Sequence, residues 1–485
     1  MNLLVAGAPS WNPERLRTLA DAGHRLWGLW ARSMAWDQGP YAVLDGVVRP
    51  VALEDAAHVI RDERIDAVYC LFQVYHPSLW APASSGVEHG VWTILRRLLD
   101  ERRRGAFDAP IVFHWGFDVQ NLDPDVVRAL DGHVFCNREK RAYWTTPVRA
   151  GGCGLDCFDD APVTGFLDGD LPKLEFMNNR FAEPLSARGE ERHTVCVGRP
   201  FRIDYVAAAR RGIHVHLYGN SFDEVYRSMA RDLSPRDAAR SAELLGRFVH
   251  VHPSLQTIGR GWEEVRRVKS EWVHEFSRHD AGWSYVGLPL PWTPLDDRAV
   301  IPNRVSTYVL AGLPVISDRR PGCYRWEELE RLGIGVAHDP ADYDRLRDAL
   351  DREVATRAKQ ASARARRADY SFDATIPPLV ELLERARDAY HARPHAERVR
   401  FAPGDRPRLV HFNTSPDPRA RVAALARRFA RRPERTVRER LAGLAGEVVS
   451  EARSVLVPLR ARRLAARLGP LLEGAAARDA RRDRS

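Results

Sequence analysis

Long apolar runs are missing from this chain of 485 residues. No stretch of about 18 uncharged apolar residues occurs, so the sequence offers no membrane-spanning helix. The opening Met1-Asn2-Leu3-Leu4-Val5-Ala6 is too short for a secretory signal and has no basic start, so a cytoplasmic chain is expected. Cysteine is sparse. Cys70, Cys136, Cys153, Cys157, Cys196 and Cys323 are scattered, which excludes a disulfide framework and suits a reducing compartment. Only Cys153 and Cys157 stand close together, and no second Cys or His pair lies nearby at a ligand spacing, so no metal is expected. Aromatics are almost absent from residues 401–485, where 20 Arg stand against 9 acidic residues. Basic charge without stacking platforms or a recognisable binding module argues against a nucleic-acid partner. That segment holds more than the whole net charge of +9, so the rest of the chain is near neutral.

What is present is enough apolar material for real cores, 44% of the residues with 13 Trp among them. The length exceeds one ordinary core, which implies two domains and an appendage. The start reads as a βαβ unit: strand 2–6, helix 14–22 with Leu16, Leu19 and Ala20 on one face, then Gly23-His24 and a strand over 25–29. Strands at 67–72, 110–114 and 133–136 alternate with helices at 87–101, 124–130 and 138–144. Such alternation implies a parallel sheet with ligands at the carboxyl ends of its strands. One of those ends carries His114 and Asp118 after an apolar strand, either as a capped loop or as a site with work to do. Residues 147–192 read as a junction rich in Gly and Pro.

A second α/β unit opens with a strand that ends in Gly198-Arg199. A glycine there lets the backbone approach a ligand, and the arginine sets a fixed cation over it. Strands follow at 213–217 and 247–251, with a helix over 262–276. Gly219 closes one strand, and Asp280 precedes another; each is also explained by ordinary turn chemistry. The run Pro302-Asn-Arg-Val-Ser-Thr-Tyr-Val-Leu-Ala-Gly-Leu-Pro-Val-Ile316 reads as a helix, a glycine stop and a buried strand. Helices are also predicted near Tyr324, over 346–363, and from about Phe372 to Tyr390.

That run resembles the P-x-[KR]-x-x-E-Y-x-x-x-G-x-P-V-I segment of group-1 nucleotide-sugar glycosyltransferases of GT-B architecture. The resemblance extends by pattern or motif over about residues 1–390. It implies two facing Rossmann-like domains, an acceptor domain over 1–190 and a donor domain over 191–390, followed by the basic helical extension 391–485. It implies transfer of a sugar, with retention and without a metal or other cofactor, from a nucleotide diphosphate to an acceptor hydroxyl that the sequence does not identify. In that likeness Arg199 contacts the donor diphosphate, and Arg202 is the cation nearest to a lysine of the family. Gly198, Gly219, Asp280, Arg304 and Tyr308 fall at donor positions, and the Pro321-Gly322 helix start offers backbone N–H groups to the diphosphate. His114 or Asp118 would orient or deprotonate the acceptor hydroxyl.

The pattern breaks at Thr307, where the family has a ribose-binding Glu, and at Ala299, where a partner Glu is expected. One hydroxyl cannot reproduce two carboxylate oxygens. Two alternatives therefore accompany the transferase: an epimerase of a nucleotide sugar, and a catalytically silent homologue that scaffolds a partner enzyme. The extension contains a short strand from about Pro407 and amphipathic basic helices at 418–431, 437–453 and 455–468. They suit an anionic membrane surface, a partner or second copy, or a solvated tail.

Overall fold

The computed structural model describes residues 1–401 except 8–12, 31–43, 72–90, 116–120, 148–149, 151, 168–179, 199–202, 219–243, 253–260, 285–300, 303, 320–321, 340 and 400, together with 410–411. Among these residues the chain has the expected α/β architecture, with two wholly parallel sheets interleaved with helices. The first is built from β1 (Asn2–Gly7), β2 (Arg25–Trp30), β3 (Val48–Pro50), β4 (Ala67–Leu71), β5 (Ile111–Trp115), β7 (Gly132–Phe135) and β8 (Val163–Phe166). Its order is β3-β2-β1-β4-β5-β7-β8. The second joins β9 (Arg192–Val197), β10 (Ile213–Tyr218), β11 (Val249–His252), β12 (Ala281–Trp283), β13 (Val315–Asp318) and β14 (Gly335–His338) in the order β11-β10-β9-β12-β13-β14. In both sheets the first strand lies in the interior, third in order. The chain fills one side, then crosses back to fill the other, so each sheet has a reversal point: β1/β4 in the first and β9/β12 in the second. A crevice opens at such a point beyond the carboxyl ends of the strands.

Alternation along the strands supplies two cores per sheet. Leu4 and Ala6 of β1 join the cluster that holds Leu95 and Leu98 of α3 (Val91–Arg103). Leu3 and Val5 face the other way, onto Leu16 and Leu19 of α1 (Pro13–Asp21). The last long helix, α12 (Phe372–Ala392), follows the second sheet in sequence and packs on the first. Its Leu379, Leu383 and Ala386 are fully buried there. Burying each leucine stabilises this docking by roughly 2 kcal/mol. Gly165 of β8 lies directly beneath, where a Cβ would collide with the Leu382 side chain.

The expected helix over 346–363 is two helices, α10 (Tyr343–Asp351) and α11 (Glu353–Ala365), because Arg352 leaves helical geometry at ψ 78. Asp342 starts the first one early by accepting from the Arg345 N–H at 2.9 Å. The short strand expected after Pro407 is β15 (Val410–His411), antiparallel to β6 (Asn121–Leu122) of the first unit. The three basic helices expected after it lie outside the described residues. No described helix is long and apolar enough to cross a membrane.

Candidate functional site

The carboxyl end of β9 reaches the β9/β12 reversal through Val197 and Gly198. Gly198 has φ +75, a left-handed backbone that glycine adopts without strain, and its N–H donates to the Tyr218 carbonyl at 2.7 Å. Where a Cβ of Gly198 would stand, the nearest described atom is Arg304 Nη2 at 3.9 Å. Arg304 opens α8 (Arg304–Leu310) and donates to Cys196 Sγ at 3.4 Å. Glycine backbone and guanidinium thus share one edge of the crevice, as an approaching anion requires.

Tyr308 holds that edge in place. It is fully buried, its hydroxyl donates to the Trp283 carbonyl of β12 at 2.9 Å, and it accepts from the Val197 N–H of β9 at 3.0 Å. Burial pushes its pKa up, so the hydroxyl stays protonated and remains a donor. The ring lies against Gly282, where a Cβ would come within 2.5 Å of it. Expected at the donor, Tyr308 is instead a pillar beneath the two strand ends. Thr307, one residue earlier, is only 9% exposed.

The helix α8 stops at Gly312, with φ +70, and Leu313-Pro314 leads into β13. At the carboxyl end of β13, Asp318 accepts from Arg325 Nη2 at 2.9 Å while Arg325 Nε donates to Ser317 Oγ at 3.2 Å. Arg325 belongs to α9 (Tyr324–Arg331), so this buried pair fixes the helix start to the strand end. Gly322, with φ +70, lies just before that start, and a Cβ there would meet none of the described residues within 4 Å. The guanidinium of Arg319 sits 6.0 Å from the centre of the Trp326 ring. First-turn N–H groups, Arg319 and Arg304 together make this edge electropositive.

Two expected residues stand elsewhere. Asp280 precedes β12 at the amino end of the sheet, opposite to Gly198. It accepts from Ser186 Oγ at 2.5 Å and from the His193 N–H at 2.8 Å, and burial pushes its carboxyl pKa up. It ties the segment before β9 to the sheet and does not reach the crevice. His114 is 0% exposed, on the face of β5 that packs against α1. Its Nδ1 lies 2.6 Å from Tyr69 Oη and 3.3 Å from Arg15 Nη1. A guanidinium only donates, so Nδ1 is the acceptor and the ring proton sits on Nε2. A ring so enclosed is not open to an acceptor hydroxyl. Asp118, Arg199, Arg202, Gly219 and Pro321 lie outside the described residues.

Gly198, Arg304 and Gly322 are therefore brought to one edge of the second sheet, with Thr307 and Tyr308 on the helix behind it. Sequence reasoning missed the roles of Cys196 and of the Asp318–Arg325 pair. The alternation of β9 could have marked Cys196 as buried, but nothing local marks Arg325, which reads as one more charge on a helix.

No family model and no curated protein matches the sequence. Among solved structures the chain is similar to Anabaena HepE in complex with UDP, at 12% identity and a TM-score of 0.46, over 79% of this chain and 100% of that one. It is similar to the lipopolysaccharide outer core galactosyltransferase WaaB, at 10% identity and a TM-score of 0.44, over 79% of this chain and 99% of that one. A third likeness is WaaG, a glycosyltransferase involved in lipopolysaccharide biosynthesis, at 12% identity and a TM-score of 0.38, over 79% and 98%.

Proposed function

We propose that the chain transfers a glycosyl group from a nucleoside-diphosphate sugar to a hydroxyl-bearing acceptor. The observation that carries this reading is the edge of the β9/β12 crevice, where an open glycine backbone at Gly198 lies beside the Arg304 guanidinium. A departing nucleoside diphosphate needs its developing charge neutralised by groups already in place. Arg304, Arg319 and the start of α9 meet that need on the described side, and Arg199 and Arg202 extend the same cationic set in sequence. The charge is carried by side chains and backbone N–H groups without a step assigned to a metal, and the anomeric centre is retained. With His114 enclosed, the acceptor hydroxyl falls to Asp118 to orient.

The test is calorimetry of UDP, GDP, ADP, dTDP and CDP on the full chain and on Arg304→Ala and Arg199→Ala. Micromolar binding of one nucleotide, weakened about ten-fold in each variant, corresponds to a loss of about 1.4 kcal/mol per guanidinium and supports the reading. Thr307 in place of a carboxylate favours a second reading, a silent homologue that supports a partner enzyme. Absence of binding to all five nucleotides would select it.

A further inference from the structure

Five imidazoles form a ladder across three adjacent strands of the second sheet, β9, β10 and β11. On β10, Ile213, Val215 and Leu217 fill the core on one face, so His214 and His216 point to the other. His193 of β9 and His250 and His252 of the edge strand β11 lie on that same face, with register pairs His214↔His193 and His216↔His250. Two hydrogen-bonded chains result. In one, His252 Nε2 is 2.9 Å from His216 Nδ1, and His216 Nε2 is 3.0 Å from His193 Nδ1. In the other, His250 Nε2 is 2.8 Å from His214 Nδ1, and His214 Nε2 is 2.9 Å from Glu191 Oε2. The rings also stack: His216 lies 4.4 Å from His250, His193 lies 4.2 Å from His214, and Tyr218 lies 4.3 Å from His252.

Each gap holds one proton. With every ring neutral both chains are satisfied: Glu191 can only accept, so His250 donates to His214 and His214 to Glu191, while the chain His252–His216–His193 closes with its protons running in either single direction. An added proton turns a ring into a double donor, and a second places like charges within about 5 Å of each other in a stack where His214 and His216 are buried and the other three half-buried. Nearby carboxylates are already engaged. Glu191 accepts from Arg247 at 2.5 Å as well as from His214, and Glu275 of α7 (Trp262–Phe276) accepts from Tyr218 Oη at 2.6 Å and Arg278 at 3.0 Å. Asp280 is held by Ser186 and the His193 backbone. His279, edge-on to His216 at 4.6 Å, adds another imidazole and no negative charge.

We propose that this ladder is an acid-sensitive latch on β11: protonation of its imidazoles releases the edge strand from β10. The strand is suited to release, being four residues long and, among the described residues, paired with β10 alone. Burial and the neighbouring imidazoles lower the pKa of His193 to about 4 and also lower those of His216, His250 and His252. Docking is therefore favoured while the rings are neutral and is lost as pH falls below the ordinary histidine value of about 6.5.

The test is amide hydrogen exchange of the full chain at pH 7.5 and 5.0 in EDTA, with rates corrected for intrinsic chemistry. Protection of the segment that contains 249–252 should fall ten-fold or more at pH 5.0, while that of β1 stays unchanged. The paired change His216→Leu with His252→Leu removes one of the two chains and should at least halve the pH dependence. Unchanged β11 protection at pH 5.0 would overturn the latch, as would an equal loss in β1 or a dependence that appears only without EDTA. If the double variant does not fold, the wild-type comparison of β11 with β1 decides alone.

Discussion

The hydroxyl of Tyr308 donates to the carbonyl of Trp283 at 2.9 Å, and the same oxygen accepts from the Val197 N–H at 3.0 Å. One side-chain atom thus fixes the ends of two strands that the chain order separates by 86 positions. Tyr308→Phe keeps the ring and removes both bonds. It leaves a half-buried N–H and a buried C=O unmatched, so the loss is expected to be about 2 kcal/mol in a urea titration. A change below about 0.5 kcal/mol would mean that the two backbone groups find other partners.

Gly282 should tolerate no side chain. A Cβ there would approach three atoms of the Tyr308 ring at 2.5 to 2.6 Å, and that ring is anchored at its hydroxyl and cannot swing away. Gly282→Ala is expected to cost about 1–3 kcal/mol through overpacking. The cost should shrink in a Tyr308→Ala background, where the new methyl has room, and this non-additivity is the quantity to measure. Additive effects would show that the ring is not the obstacle.

These residues show what was legible in the sequence and what was not. The helix-Gly-strand run at 302–316 announced α8 and β13, because Gly312 and Pro314 are strong local punctuation. Gly198 was legible as a strand-end glycine for the same reason. The role of Tyr308 was not: an aromatic on an apolar helix face has the same pattern whether it touches a ligand or props a strand. Asp280 and His114 were misplaced because local pattern gives a strand's ends but not which way a polar side chain turns on it. Strand β8 was hidden in a Gly- and Pro-rich stretch, and its Gly165 makes sense only once α12 returns from more than 200 residues away. The histidine ladder could have been seen from H-x-H at 214–216 and again at 250–252, but its meaning needed the register of three strands.

Acid should weaken the fold through His338 as well. The ring is buried at the end of β14, edge-on to Trp283 at 5.4 Å and Tyr343 at 4.8 Å, and burial pushes its pKa down to about 4. The unfolded chain binds this proton at about 6.5, so below that pH the unfolded state holds more protons and stability falls as pH falls. Between pH 6.5 and 4.5 this ring should account for about 2 kcal/mol. His338→Phe keeps the packing and removes the titration, so its stability should fall less steeply over the same range by that amount. Parallel curves for the two proteins would exclude His338 as a source of the acid sensitivity.

The contact between the two sheets offers the sharpest stability test. Glu14 of α1 pairs with Lys269 of α7, and both are buried. Beside them Arg17 lies over the Trp262 ring at 5.5 Å. Two charges taken out of water are costly, and their mutual attraction offsets that cost only while both are present. Glu14→Leu or Lys269→Met alone should therefore destabilise by about 3–5 kcal/mol, since each strands the opposite charge. The double change Glu14→Leu with Lys269→Met removes both desolvation costs and should recover most of the loss, giving a large coupling energy in the four-way comparison. Calorimetric unfolding separates the cases. If the single losses simply add, the pair is solvated and does not hold the two units together; if the double variant is near wild type, the junction needs shape and burial more than it needs charge.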